Sequence, residues 1–273
     1  MIDISQINYS LLDQPAISNV LFHPRPEFGQ SESATDESHI MIPVEADIHI
    51  GARFHRIERS GVNVLFFHGN GEIVADYDDF GPIVNQLGLN FLAVDYRGYG
   101  RSTGRPTVTA MMRDCHTIFD FVSRWLADNE YGGPLALMGR SLGSASVLEL
   151  ASHYAPQIDG LIVESGFAHS APLLQLLGIQ TAEIGFEEAA GFLNADKIRH
   201  FHKPTLIIHA EHDHIIPHSE GVMLFETCPS ADKTLITIAN ANHNDIFMRG
   251  LEDYLAALSK FAQRLKADKA GSV

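Results

Sequence analysis

Short apolar or β-branched runs alternate with longer stretches of helical period along most of the chain. The strand candidates are HIMIPV (39–44), DIHIGARFHRI (47–57), NVLFFH (63–68) and NFLAVD (90–95), then PLALMG (134–139), GLIVES (160–165), TLIIHA (205–210) and TLITIA (234–239). The second alternates with period 2 and reads as part of an antiparallel hairpin with the first or third. The later runs are almost continuously apolar, as parallel strands covered on both faces must be. Between them, Met111, Cys115, Ile118, Val122 and Trp125 recur at helical spacing in 109–127, and Leu251, Leu255, Leu258, Ala262 and Leu265 do so in 249–265. The 72–88 segment is less regular, because Gly81-Pro82 should break or restart a helix. This alternation predicts a doubly wound, mostly parallel α/β sheet of about eight strands with a short antiparallel start.

Two segments escape the pattern. Residues 1–38 hold Pro24, Pro26 and the acidic, Ser-rich GQSESATDES, and are expected to wrap the surface or form a loop. Residues 166–203 separate two strands by more than a normal crossover and carry APLLQLLGI and a second apolar patch near Phe186–Leu193. A small helical lid over the C-terminal edge of the sheet fits that insertion better than a long ragged crossover helix. The main domain is therefore expected over 39–266, and the tail 267–273 is expected to fray.

Charge narrows the partners. Against 34 Asp and Glu stand 19 Lys and Arg, a formal net charge of −15 with no basic cluster. Nucleic acid and anionic membrane surfaces both need cations to neutralise phosphates, so neither is expected. No run approaches the roughly 18 apolar residues of a membrane span, and MIDISQINYSLLDQ has no signal-peptide pattern. Two cysteines, Cys115 and Cys228, suggest a reducing compartment. A cytoplasmic enzyme is the expectation; the oligomeric state is not readable.

The chemistry concentrates at Gly139-Arg140-Ser141-Leu142-Gly143, where an apolar strand candidate meets a helix candidate. A sharp strand-to-helix turn holds its corner serine exposed, and flanking glycines relieve the crowding. A serine hydroxyl needs a base within hydrogen-bond reach, and the base needs a carboxylate to fix its tautomer. In a parallel sheet both come from loops at the C-terminal edge. TLIIHA is followed by Glu211-His212-Asp213-His214, and TLITIA by NANHND, which places His243 before the last helix. The reading is Ser141 as nucleophile, His243 as base and Asp213 as acid. Glu211 and Asp245 compete for the acid role. Asp245 stands too close in sequence to His243, and Glu211 needs another loop path. The run HAEHDHIIPH invites a metal reading through His209, His212 and His214, but no second cluster supports it, so no metal and no cofactor are expected. The oxyanion needs two backbone N–H groups. Leu142 supplies one and Asn70, in His68-Gly69-Asn70-Gly71, the other, with Gly71 as the runner-up.

FFHGNG, DYRGYGRSTG, GRSLGSA and HAEHDHIIP with NANHND stand in the order of the α/β-hydrolase superfamily. Over residues 39 to 266 the chain resembles that superfamily, and DYRGYGRSTG (95–104) resembles in particular the strand-4 loop of its serine-aminopeptidase-like and BEM46-like branch, related to monoacylglycerol lipases and protein depalmitoylases. The resemblance implies an α/β-hydrolase fold with a helical lid and the same Ser141, Asp213 and His243. Two departures stand out: Asn242 precedes the histidine where glycine is frequent, and HAEHDHIIP replaces the commoner HGTxDxxVP. Arg97 and Tyr99 are expected to brace the loop beside the elbow, through Asp95 and Arg97 in local hydrogen bonds, rather than touch substrate. The function expected is hydrolysis of a small-molecule ester or thioester through an acyl-serine. A peptidase or amidase is the alternative, with Glu164, Glu183, Glu187 and Glu188 as carboxylates to grip an α-amino group. A binding protein that kept the fold is the third reading.

Overall fold

The apolar runs pair into one sheet. In the computed structural model, which describes residues 7–27 and 38–271, the strands are β1 (His39–Glu45), β2 (Ile48–His55), β3 (Val62–Phe67), β4 (Leu89–Val94), β5 (Leu135–Arg140), β6 (Gly160–Glu164), β7 (Thr205–Ala210) and β8 (Lys233–Ile238). Their order is β1-β2-β4-β3-β5-β6-β7-β8. β2 is antiparallel to β1 and to β4, so its second neighbour is the fourth strand and not the third. All other pairings are parallel.

Side chains alternate across the sheet into two core layers. Leu65 and Phe67 of β3 pack with α3 (Val108–Asp128) and α4 (Gly143–Tyr154), while Val62, Val64 and Phe66 pack toward α2 (Phe80–Asn85) and α8 (Ile246–Gly271). Each fully buried aromatic or aliphatic side chain contributes about 1.5–3 kcal/mol. α3 begins where the Thr107 hydroxyl accepts the Ala110 N–H at 3.0 Å, and four of its five stripe residues are buried, Trp125 only partly.

Three expectations shift for local reasons. The 72–88 stretch splits into a 3-10 turn (Val74–Tyr77) and α2, with Pro82 in the first turn of α2, where its missing N–H costs nothing. In α8, Gly250 is non-helical and resets the helical phase, so Leu251 is exposed and Tyr254 takes the buried place. Helical geometry continues to Gly271, through most of the tail expected to fray.

The N-terminal segment does not simply wrap the surface. Tyr9, Leu12, Ile17, Leu21 and Phe22 are buried in the α3–α4 core layer, and α1 (Pro15–Leu21) starts with proline at its first position, which suits that residue's fixed φ. The stretch GQSESATDES falls outside the described residues but for Ser38. The 166–203 insertion divides likewise. α5 (Ser170–Leu176) and the turns after it lie over the C-terminal edge, whereas Phe192, Ile198 and Phe201, around α6 (Asn194–Ile198), are core residues. α7 (His218–Thr227) completes the chain of helices.

Candidate active site

Ser141 sits between β5 and α4 with φ of 51°, left-handed backbone that a non-glycine residue rarely adopts. Its N–H donates to the Glu164 carbonyl at 2.8 Å, which ties the corner to β6. A Cβ on Gly139 would stand 2.5 Å from the Gly143 carbonyl oxygen, and one on Gly143 would collide with the Phe67 carbonyl, so the elbow closes only with glycine at both places.

From this corner a line of contacts leads to the β8 and β7 loops. Ser141 Oγ is 3.0 Å from His243 Nε2, and His243 Nδ1 is 2.7 Å from Asp213 Oδ2. Asp213 Oδ1 accepts the N–H groups of Ile215 and Ile216 at 2.9 and 2.8 Å. Burial opposes ionisation of Asp213, but His243 and these two donors outweigh it and hold the carboxyl below its ordinary range. The three residues proposed from sequence thus meet in one place. Their rivals do not. Glu211 accepts the Asn240 N–H, and Asp245 braces the loop from beneath, accepting from the Asn242 N–H at 2.6 Å and its side-chain amide at 2.9 Å. That bracing shows what Asn242 does in place of glycine. His209 is buried against the Ile216 carbonyl, while His212 is exposed.

On the other side of Ser141, Asn70 and Leu142 line the same cavity, and neither backbone N–H has a protein acceptor among the described residues. Asn70 is fixed through its side chain. Its Oδ1 accepts from Tyr99 Oη at 2.7 Å and from the His23 N–H at 2.9 Å, and its Nδ2 is 2.8 Å from His23 Nδ1. Arg25 Nε donates to the Gly71 carbonyl at 2.7 Å. Tyr99 therefore braces the loop, as expected. Asp95 accepts the Val74 N–H at 2.9 Å and lies 3.2 Å from His68 Nε2, whereas Arg97 braces by a longer route, in a two-pronged pair with Asp114 of α3 (2.6 and 2.8 Å) and a contact with Glu45.

A charge network that the sequence does not predict runs beneath the site. β5 and β6 pair with Arg140 opposite Glu164. Arg140 donates to Glu164 at 2.6 Å, to Glu72 at 2.8 Å and to the His243 carbonyl at 2.9 Å. Glu72 also accepts the Gly69 N–H at 2.7 Å, and Tyr254 donates to Glu164 at 2.6 Å. Burial works against the Glu72 charge, yet Arg140 and the Tyr77 hydroxyl hold its pKa down to about 2. An arginine closing an otherwise apolar strand run is the available signal. The cavity above has a volume of about 250 Å³, with Leu21, Leu173, Leu177 and Ile215 as apolar walls around Ser141 and His243.

A mostly parallel eight-stranded sheet between helical layers, with a serine at a strand–turn–helix corner, defines an α/β hydrolase. The chain belongs to the serine aminopeptidase, S33, family, which matches residues 59–185 and 189–267. It is similar to the alpha/beta hydrolase domain-containing protein aho-3 of Caenorhabditis elegans, 29% identical over 212 residues, 75% of this chain and 58% of that one. With the alpha/beta hydrolase domain-containing protein 17C of Mus musculus, identity is 28% over 257 residues, 90% of this chain and 74% of the relative. Among solved structures it resembles Est1E from Butyrivibrio proteoclasticus with ferulic acid bound (TM-score 0.69, 18% identity, 84% of this chain and 99% of that one). The esterase Pf2001 of Pyrococcus furiosus is similar in fold (TM-score 0.70, 17% identity, 89% and 99%). Among the described residues no helix is long and apolar enough to cross a membrane.

Proposed function

We propose that the protein is a serine hydrolase that cleaves a small-molecule ester or thioester through an acyl-enzyme on Ser141. The observation that carries this reading is the unbroken contact line Asp213–His243–Ser141 opening onto an apolar cavity. Ser141 Oγ attacks the carbonyl carbon as its proton passes to His243 Nε2. Asp213 stabilises the imidazolium, and the Asn70 and Leu142 N–H groups receive the oxyanion. Collapse breaks the bond to the leaving alcohol or thiol, which takes the proton from His243. Water, deprotonated by the same histidine, then releases the acid and restores Ser141.

Three carboxylates that the peptidase alternative could use are already engaged: Glu72, which lines the cavity, accepts from Arg140, Tyr77 and the Gly69 N–H. Glu164 is buried under Arg140 and Tyr254, and Glu188 accepts the Ser170 and Ala171 N–H groups at the start of α5. Leucines at the cavity wall favour an acyl chain, and we assign the α5 segment, rather than the whole insertion, as the lid.

Initial rates on p-nitrophenyl esters from acetate to palmitate, wild type beside Ser141→Ala, test the reading. Fluorophosphonate labelling should vanish in the variant, and ester turnover should fall to at most the ~10³–10⁴-fold residual over water that an oxyanion hole and binding supply. Ester turnover that stays near the wild-type rate in Ser141→Ala overturns the assignment. Labelling with no ester turnover would send the substrate search to amides.

A further inference from the structure

On the face of α3 and α4 remote from the cavity, three side chains converge that the hydrolytic site does not use. Glu149 and His153 lie one turn apart on α4, and His116 reaches across from α3. His116 Nε2 is 3.2 Å from Glu149 Oε1, and His153 Nδ1 is 3.6 Å from the same oxygen. One ligand atom from each of the three lies within 4.8 Å of the others. In a tetrahedral zinc site with bonds of about 2.0–2.1 Å, neighbouring ligand atoms stand about 3.3–3.4 Å apart. Two of the three separations already bracket that distance.

The surroundings also suit a metal ion. Without a metal His116 Nε2 hydrogen-bonds Glu149, and on ligation Nδ1 can donate instead to the Tyr154 hydroxyl 3.1 Å away, which frees the Nε2 lone pair for the ion. Ligating imidazoles are oriented by this kind of outer partner. Glu149 Oε2 is held by the buried Lys197 ammonium at 2.6 Å, and that ammonium is fixed in turn by the Tyr9 hydroxyl at 3.0 Å. Lys197 neutralises part of the carboxylate charge, which favours a borderline ion bound by nitrogen over a hard ion such as Mg²⁺ or Ca²⁺, which needs several charged oxygens. The imidazoles remain about 27% and 30% exposed, leaving an approach for the ion and for water as a further ligand. His153 Nδ1 also lies 3.0 Å from the Glu149 carbonyl, a contact that ligation would exchange for the metal.

We propose that His116, Glu149 and His153 form a site for a divalent transition ion of the zinc type, clamping α3 to α4. None of the three lies in the histidine-rich run 209–218, and the sequence alone predicts no metal site. Glu149 is 33 residues from His116, so only the packing of the two helices brings the set together.

The test uses the full chain, stripped with a chelator, and titrates it with ZnCl₂ by calorimetry and with CoCl₂ by visible absorption. One equivalent should bind, with the intense d–d bands of tetrahedral Co²⁺, and should raise the melting temperature. His153→Gln and His116→Gln should each weaken binding by more than the ~10–100-fold cost of losing an outer partner. Their melting temperatures in chelator report whether they fold, and His212→Gln with His214→Gln controls for surface histidines. Absence of a Co²⁺ spectrum, or binding that the His116 and His153 changes leave intact while the His212 and His214 changes remove it, overturns the proposal. Neither readout depends on ester turnover.

Discussion

Arg140 precedes the candidate nucleophile, yet its guanidinium points below the site and joins three loops. It touches the β8 loop at the His243 carbonyl and the β3 loop, the candidate oxyanion loop, through Glu72, which holds the Gly69 N–H. Glu164 anchors it to β6. Removing one partner of a buried ion network leaves the others uncompensated, at a cost of about 3–5 kcal/mol. Arg140→Gln should therefore lower the free energy of urea unfolding by that order. Glu72→Gln keeps the size and one acceptor for Gly69, so its stability loss should be smaller. If Glu72 positions the oxyanion loop, its loss lowers kcat with KM little changed, since only the transition state uses the loop fully. A rise in KM at constant kcat would instead mean that Glu72 touches the substrate.

Among the elements, α5 and the N-terminal strap decide how much space lies above Ser141. Leu173 and Leu177 stand four residues apart and present one helical face to the cavity, opposite Leu21 at the end of α1. Leu177→Trp should fill part of the cavity and move the optimum among p-nitrophenyl esters to shorter acyl chains. Labelling by a small fluorophosphonate should persist. An unmoved optimum would place the acyl group elsewhere. How much of this was legible varies with the range of the interaction. Strands and α3 were, because period 2, unbroken apolar runs and spacings of three and four depend on local sequence. The meeting of Ser141, Asp213 and His243 was, because each follows a strand at the same sheet edge. The burial of Leu12, Ile17 and Leu21 was not, since Pro24, Pro26 and the acidic stretch beyond them dominate the composition there. Nor was the phase reset at Gly250, where the backbone leaves helical geometry and passes so close to Ile238 that a Cβ would collide with it. The Arg140 network and the His116 cluster depend on register and helix packing, which a linear pattern does not carry.

Over the whole molecule, two opposing effects of acid must be weighed. A net charge of −15 at pH 7 with a pI near 5.3 means that mild acid relieves repulsion among surface groups. Buried groups act the other way. Burial, opposed in part by the Ile216 carbonyl and Asp213, lowers the His209 pKa below 6.5. The unfolded chain therefore takes up that proton first, and stability falls as pH drops through 6.5 toward the folded value. Glu72 and Glu149 are held at about 2, from an ordinary 4.5, by Arg140 and Tyr77 in one case and by His116 and Lys197 in the other, against the cost of burial. Each depressed carboxylate contributes on the order of 3 kcal/mol, present in full above about pH 4.5 and lost as pH falls toward 2. Surface repulsion is screened within about 8 Å at physiological salt, so the buried groups should win there. Urea unfolding with chelator present should then show stability easing downward below pH 6.5 and steeply below 4.5. At low salt the relief of repulsion should flatten or reverse the first slope and leave the second. Glu72→Gln with Glu149→Gln should lower stability at neutral pH and make the acid limb shallower. An acid limb just as steep in that double variant would mean that other carboxylates drive acid unfolding.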